Sequence, residues 1–410
     1  MALVKTLDSI AVAGKRVVLR LDLNVPVENG QVRDATRIER AVATIRELCG
    51  KGAAVVVVSH FDRPKGKVVP GLSLAPIAPA LAAALGSPVR FIATDWRNGK
   101  AAEAARALRP GDVAVMENTR YHPGEEANDA AFAQVLAALG DIYVNDAFSC
   151  AHRAHASTEG IAHLLPSVAG RAMQAEIEAL EKALEKPARP LVAVVGGAKI
   201  STKLDLVGNL LGLADTIIIG GAMANTFLAA RGYEVGLSLK EDDLFGTARQ
   251  IMHDAAGLAR SLVLPQDVVV AREFKAHAAH RSVAMDAVAA GEMILDIGPA
   301  SVAAVGAIFA QARTLVWNGP LGAFELTPFD AGTVATARAA ARLTTQGHLV
   351  SVAGGGDTVA ALNHAGVAGD FTYVSTAGGA FLEWLEGGTL PGVAALEGSP
   401  PAEGGEVRNR

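Results

Sequence analysis

Short apolar runs that stop abruptly at polar or glycine clusters, each followed by an alanine-rich stretch of helical character, recur along this chain. Residues 53–58 (AAVVVV) run into Ser59-His60-Phe61-Asp62-Arg63-Pro64. Residues 112–116 run into Glu117-Asn118-Thr119-Arg120-Tyr121-His122, and 141–144 into Asn145-Asp146-Ala147-Phe148, with His152-Arg153-Ala154-His155 beyond. Helical stretches are expected at 34–49, which carries Arg37, and at 74–85 and 128–139. Alternation of this kind predicts a parallel sheet with helices on both faces. In such sheets ligands sit beyond the carboxyl ends of the strands. His60, Arg63, Arg120, His152 and Arg153 all follow a strand end, which predicts a cationic pocket for a small, multiply charged anion. Residues 17–24 (VVLRLDLN) alternate and stop at Pro26, which predicts a strand with Arg20, Asp22 and Asn24 on one face. No HExxH or paired-histidine spacing gives these histidines a metal role. His163, His277, His280 and His364 read as structural or surface residues.

The pattern pauses and restarts. Residues 171–185 carry Met173, Ile177, Leu180 and Leu184 at helical spacing before Pro187 and Pro190, which suggests an interdomain helix. Residues 191–195 then lead into Gly196-Gly197-Ala198-Lys199, with Lys203 expected one helical turn on, on the same face. Runs at 216–219, 293–297 and 314–317 precede Gly220-Gly221, Gly298-Pro299 and Asn318-Gly319-Pro320, and a second parallel sheet is expected to hold all of them. Residues 348–362 (HLVSVAGGGDTVAAL) read as strand, tight turn and helix, with the helix resuming from Thr358. Glycines there let backbone N–H groups approach an anion, and the helix adds its positive end. Asp357 supplies a carboxylate of the kind that Mg²⁺ beside phosphates needs, although Asp357 or Thr358 can equally cap the helix. Tyr373-Val374-Ser375-Thr376-Ala377-Gly378-Gly379 repeats the strand-to-glycine pattern, and a loose tail is expected after Leu396. Neither GxxxxGK[ST] nor GxGxxG is present.

Bulk properties narrow the field. A chain of 410 residues has room for two or three domains. A formal charge of −5 argues against a general nucleic-acid binder. Two cysteines, Cys49 and Cys150, are too few for a disulfide framework and fit a reducing compartment. MALVKTLDSI lacks a signal-peptide core, and no segment approaches the ~20 apolar residues of a membrane span, so a cytosolic protein is expected. An Arg/His pocket in one half and a glycine-rich, Lys- and Asp-bearing edge in the other suggest transfer between two ligands on domain closure.

In order, RVVLRLDLNVP (16–26), SHFDRP (59–64), ENTRYH (117–122), NDAFSCAHRAHAS (145–157), GGAKISTK (196–203), DIGPAS (296–301), WNGPLGAFE (317–325), GGGDT (354–358) and STAGGA (375–380) make the chain resemble the phosphoglycerate kinase family. The resemblance implies an α/β fold of two doubly wound parallel-sheet (Rossmann-like) domains joined by an interdomain helix. Their expected extents are 1–170 with the segment 391–410 returning to it, 171–186 for the helix, and 187–390. It implies reversible phosphoryl transfer from 1,3-bisphosphoglycerate to ADP with Mg²⁺, and no covalent enzyme intermediate. A cytoplasmic monomer with small-molecule substrates, and with no nucleic-acid or membrane partner, is implied as well.

By the same resemblance, Asp22, Asn24 and Arg37 hold the glycerate end of the substrate. His60, Phe61, Asp62, Arg63, Arg120 and Arg153 complete the substrate site around its phosphate. Gly197, Lys199, Lys203, Gly221, Asn318, Glu325, Gly354, Gly355, Gly356, Asp357 and Thr358 form the nucleotide site, with Glu325 on the ribose and Asp357 linked to the metal. Arg37, Lys199, Gly356, Gly378 and Gly379 are the expected catalytic set. The chain departs from the family pattern at Asp62, where the motif has Gly, at Ala377, where STGGGA has Gly, and at Gly388, where Lys is expected on the surface. Two competing readings are a two-domain protein that clamps a phosphorylated ligand without chemistry, and an acyl-phosphate kinase with another acceptor.

Overall fold

The computed structural model describes residues 4–94, 96 and 98–397. Contacts divide the chain into two units: one runs to Ile177 and takes up the chain again from Thr389, the other spans Glu178–Gly388. The division falls inside the helix Arg171–Leu180, which a π-helical turn extends through Glu185. Met173, Ile177, Leu180 and Leu184 are all buried, as one-sided helical spacing requires.

In the first unit a six-stranded parallel sheet has the spatial order Val89–Ile92, Val113–Met116, Ala54–Val58, Arg16–Arg20, Ile142–Asn145, Ser167–Ala169. Three of its inner strands, Ala54–Val58, Val113–Met116 and Ile142–Asn145, are buried along their whole length, which is why they read as nearly unbroken apolar runs. The first strand lies in the middle. The chain fills one side of it, with Val113–Met116 inserted between Ala54–Val58 and the edge strand Val89–Ile92, and later crosses to the other, so a topological switch point falls at Arg16–Arg20. That strand is shorter than its alternation predicts. Leu21 N–H still reaches Val58 O at 3.1 Å, but Leu23 N–H turns to Ser59 Oγ (3.0 Å) and Val25 N–H folds back on Leu23 O (2.9 Å). Asp22 and Asn24 therefore sit in a loop, while Arg20 is enclosed at 1% exposure, and the three form no polar row. The helix Pro391–Glu397 returns to this unit, with Gly392 N–H on Ala151 O at 2.9 Å. A Cβ at 392 would lie 3.0 Å from Ala151 Cα, so close docking there needs glycine. The tail expected to be loose falls on 398–410, outside the described residues.

A second six-stranded parallel sheet carries the other unit, in the order Ser261–Val263, Thr216–Ile219, Leu191–Val195, Thr314–Asn318, Val350–Gly354, Tyr373–Ser375. Its switch point lies between Leu191–Val195 and Thr314–Asn318. Met293–Ile297 does not join this sheet, contrary to expectation. It pairs antiparallel with Asp267–Ala271, which also pairs with His280–Ala284, to make a separate three-stranded sheet. An apolar strand ending in glycine looks the same in sequence whichever neighbour it finds. Among the described residues no helix is long and apolar enough to cross a membrane.

Candidate active site

The loops after four adjacent strands of the first sheet bring the expected anion-binding residues together. Asp22 and Asn24 follow Arg16–Arg20, the 60–63 loop follows Ala54–Val58, Arg120 follows Val113–Met116, and Arg153 follows Ile142–Asn145. Arg37, near the start of the helix Thr36–Gly50, donates from Nη1 to Asp22 Oδ2 (2.7 Å) and Asn24 O (2.9 Å). Ser149 Oγ donates to the same Asp22 oxygen at 2.5 Å. Asn24 Oδ1 accepts from Asp62 N–H at 3.1 Å, and Arg120 Nη1 donates to Asp62 O at 2.8 Å. Asp62 thus serves the pocket through its backbone, in a left-handed conformation with φ of 50°. Phe61 points into the core, and its amide and carbonyl both bond to the Asn118 side chain (3.1 and 2.7 Å), which pins the loop.

Positive charge is concentrated here. Burial first, then the charges of Arg20, Arg120 and Arg153, hold the His60 imidazole well below the usual histidine range. Burial and the same three guanidiniums bring His155 down to about 4. Both rings are therefore neutral at pH 7, and the pocket's charge rests on arginine. Arg120 is buried, and its Nε lies 3.2 Å from Glu126 Oε1 without forming a hydrogen bond. Arg153 Nε donates to His152 Nε2 at 3.1 Å, whereas Arg63 is exposed. Asp22, His60 and Cys150 place ligand atoms within 4.8 Å of one another. Arg37 and Ser149 occupy Asp22, and Arg20 occupies His60 Nδ1, so this trio is poorly suited to a cation.

In the second unit the glycine turns interlock at the switch point. A Cβ on Gly196 would lie 1.9 Å from Pro320 O, one on Gly319 2.2 Å from Gly196 O, and one on Gly221 2.7 Å from Gly197 N. Gly319 and Gly221 also have positive φ (97° and 65°). These glycines let the backbone ends of neighbouring strands touch. The 354–358 turn is tied to them: Asn318 Nδ2 donates to Gly354 O (2.9 Å), and Gly319 N–H donates to Thr358 Oγ1 (2.7 Å). The following helix starts at Gly356 rather than Thr358, with Gly355 as its N-cap (φ 97°) and no side-chain cap. Neither Asp357 nor Thr358 plays the capping role, and uncapped first-turn N–H groups are what an anion uses.

Lys199 and Lys203 do not share a helix face. Lys199 is extended and exposed before the 3-10 turn Ile200–Thr202, which Glu241 anchors at Ser201 N–H (3.0 Å), and the helix Leu204–Leu213 starts only after Lys203. Lys203 is partly enclosed and bonds to Asn318 Oδ1. Burial lowers it to about 8, against the pull of Asp357 and Glu386. Gly378 (φ 45°) precedes the helix Gly379–Leu385, and Ala377 N–H is already taken by Ser375 Oγ at 3.1 Å. Gly388 leaves no room for the expected lysine without movement of Glu383, whose Cγ would be 2.8 Å from its Cβ.

A cavity of about 520 Å³ opens beside these turns, with Gly197, Gly221, Glu325 and Asp357 in its lining. Leu237, Leu239, Phe274, Met293 and Leu321 give it apolar walls. Sequence reasoning missed those walls, because they come from separate segments with no shared period. It also missed Glu125, Ser157 and Ser149, whose partners lie far away in the chain.

A profile of the phosphoglycerate kinase family matches residues 7–388. The chain is 61% identical over 393 residues to the phosphoglycerate kinase of Ruegeria sp. (strain TM1040), covering 96% of this chain and 99% of the relative. It is 62% identical over 397 residues to that of Methylobacterium radiotolerans, covering 97% and 99%. The phosphoglycerate kinase structure from Coxiella burnetii superposes with a TM-score of 0.90 at 44% identity, over 96% of this chain and 99% of that one. That from Pyrococcus horikoshii gives 0.79 at 30% identity, over 96% and 98%. With the family profile spanning nearly the whole chain and relatives this similar, the chain belongs to the phosphoglycerate kinase family.

Proposed function

We propose that this protein transfers a phosphoryl group reversibly from 1,3-bisphosphoglycerate to ADP, giving 3-phosphoglycerate and ATP. The observation that carries the reading is the arginine-rich pocket at adjacent strand ends of the first unit. Arg120, Arg153 and neutral His60 suit a phosphate that is not transferred, and the Asp22–Asn24–Arg37 cluster beside them suits the glycerate carboxylate and hydroxyl. In the second unit the apolar cavity suits a nucleobase, Glu325 a ribose hydroxyl, and the uncapped helix at Gly356 a phosphate chain.

An acyl phosphate is already activated, so the chemistry requires neither a nucleophilic side chain nor a general base. It requires alignment of donor and acceptor oxygens and neutralisation of the charge on the transferring group. Arg37, Lys199 and the N–H groups of Gly356, Gly378 and Gly379 are assigned to that neutralisation, and Lys203 to the nucleotide phosphates. Asp357 fits a magnesium site: its carboxylate is exposed in the cavity lining and makes no hydrogen bond or ion pair among the described residues. Asp357 would hold Mg²⁺ there, and the ion would supply charge neutralisation at the phosphate oxygens. The protein is proposed to act as a cytoplasmic monomer on soluble small molecules, without a nucleic-acid or membrane partner.

The test is a coupled assay of ADP formation from ATP and Mg²⁺ with 3-phosphoglycerate, glycerate or acetate as acceptor. Turnover with 3-phosphoglycerate alone supports the reading. Equal turnover with acetate would point to a different carboxylate acceptor, and binding without turnover to a phosphate-clamping protein.

A further inference from the structure

A buried chain of hydrogen bonds leads away from the first unit's pocket, and none of the roles above uses it. Glu125 is fully enclosed (0% exposed); its Oε1 accepts from the Ser157 hydroxyl at 2.5 Å and its Oε2 from Ser157 N–H at 3.1 Å. Ser157 has then given up its only hydroxyl proton, and its remaining lone pairs accept Arg20 Nε–H at 2.9 Å. Arg20 in turn places Nη2 3.1 Å from His60 Nδ1, while Nη1 donates to Leu21 O. A guanidinium has donors only. His60 Nδ1 must therefore present a lone pair, and a neutral imidazole with a lone pair on Nδ1 carries its proton on Nε2.

Other charged or titratable groups around the ring do not oppose this. Arg120, Arg153 and His155 act on it electrostatically and favour the neutral form. Cys150 Sγ lies 3.9 Å from the same Nδ1; a thiol is a weak partner in either role, and the shorter charged donor from Arg20 at 3.1 Å decides the tautomer. Asp22, the nearby carboxylate, is occupied by Arg37 and Ser149.

We propose that Glu125 and Ser157 are positioning residues for ligand binding: acting through Arg20, they fix His60 as the Nε2–H tautomer, so that the ring offers a phosphorylated ligand a donor and never a lone pair. The proposal rests on the reading that the first unit binds 3-phosphoglycerate. Without the Ser157 hydroxyl, Arg20 Nε loses its acceptor, while Glu125 keeps Ser157 N–H on Oε2; in Glu125→Gln the new amide N–H competes with Arg20 Nε–H for the Ser157 oxygen. In either variant the guanidinium is no longer fixed through Nε and can release His60 Nδ1 to take a proton.

The experiment is ¹⁵N NMR of the His60 ring in the full-length protein, for the wild type, Ser157→Ala and Glu125→Gln, with separate titrations of 3-phosphoglycerate and MgADP. The wild type is expected to show one neutral tautomer, protonated on Nε2, across pH 6–8. Each variant is expected to populate the Nδ1–H form and to bind 3-phosphoglycerate roughly tenfold more weakly, as for one lost charge-directed hydrogen bond, with MgADP affinity unchanged. A wild-type ring protonated on Nδ1, or a folded variant with unaltered tautomer and affinity, overturns the proposal. If one variant does not fold, the other decides. A wild-type ring in the expected tautomer with no 3-phosphoglycerate binding overturns the ligand reading and leaves the relay standing.

Discussion

The Lys203 ammonium is bonded to the side-chain oxygen of Asn318, and the backbone carbonyl of the same asparagine lies 3.5 Å away. Through Nδ2, Asn318 also holds Gly354 O, so this one residue ties the lysine to the triple-glycine turn. The lysine is thereby kept partly out of water.

With Lys203 in its proposed role at the nucleotide phosphates, that placement predicts a pH dependence of nucleotide binding. Burial brings Lys203 down to about 8, so its charge is lost as pH rises through 8 instead of near the ordinary 10.5. MgADP affinity is expected to fall between pH 7 and 9.5, approaching tenfold per pH unit at the upper end if the charged form alone binds phosphate. Lys203→Arg, whose guanidinium stays charged, should flatten the profile. Stability runs the opposite way: the unfolded chain binds the extra proton between about 8 and 10.5, so this group's contribution rises with pH in that window. Calorimetric titration of MgADP at several pH values checks the binding, and a flat wild-type curve would remove Lys203 from the phosphate site.

The glycines of the second unit divide into two kinds, and alanine substitution separates them. Gly319 combines a φ of 97° with a contact that would put Cβ 2.2 Å from Gly196 O. Gly319→Ala should lose about 3 kcal/mol or more, from left-handed strain plus overpacking against backbone. Gly356 has nothing within 4 Å of its Cβ position and lies in the first turn of a helix. Gly356→Ala should leave stability within about 1 kcal/mol of the wild type and weaken MgADP binding instead. Urea unfolding and MgADP titration of both variants give the comparison, and equal losses of stability would mean that Gly356 is also a packing glycine.

The parallel sheets were legible because their inner strands are buried on both faces, and such strands must be nearly all apolar. Residues 191–195 and 216–219 were read to the residue. Pairing was less legible: Met293–Ile297 carries no mark of its antiparallel neighbour. The cationic pocket could be anticipated because Arg120 and Arg153 follow strand ends, and strand ends are where such sheets bind ligands. Arg20 could not be placed, since its acceptor Ser157 is 137 positions away and only the folded chain brings them together. The lysines were misread as one face of a helix because the extended Lys199 and a 3-10 turn intervene, and a local turn type leaves little trace in composition.

Asp62 is a residue that the fold would exchange for glycine. Its φ of 50° is left-handed, and both of its pocket contacts, to Asn24 and Arg120, are made by backbone atoms. Asp62→Gly keeps those contacts and relieves the strain, for an expected gain of about 0.5–1 kcal/mol after the extra freedom of unfolded glycine is counted. It also removes a carboxylate next to exposed Arg63, so 3-phosphoglycerate should bind more tightly, most visibly at low salt. Denaturant unfolding and a titration at two ionic strengths are the measurements. Weaker binding by the variant would show that the carboxylate helps to hold Arg63 in place.

Asp296 should make stability respond to pH near neutrality. Its Oδ1 accepts from Ile297 N–H (2.9 Å) and its Oδ2 from Gly332 N–H (2.6 Å), while Gly322 and Gly332 leave space for it that a Cβ would fill. Burial outweighs these donors and raises the carboxyl from 3.8 to about 7, with Asp330 adding to the rise. Between those values the folded protein binds the proton and the unfolded chain does not. This group's contribution is thus greatest at low pH and is lost as pH rises to about 7. His60 and His155, held neutral, impose the opposite slope in the acid part of the range, so the wild-type curve alone does not isolate the effect. Subtracting Asp296→Asn does, because both proteins share the histidines. As pH rises from 5 to 6.5 the wild type should lose stability relative to the variant by roughly 1.4 kcal/mol per pH unit, the linkage of one proton, and the gap should level off above pH 7.5. Urea unfolding at closely spaced pH values measures it, and a gap that stays constant across the range would mean that Asp296 is ionised throughout and that its two N–H donors prevail over its burial.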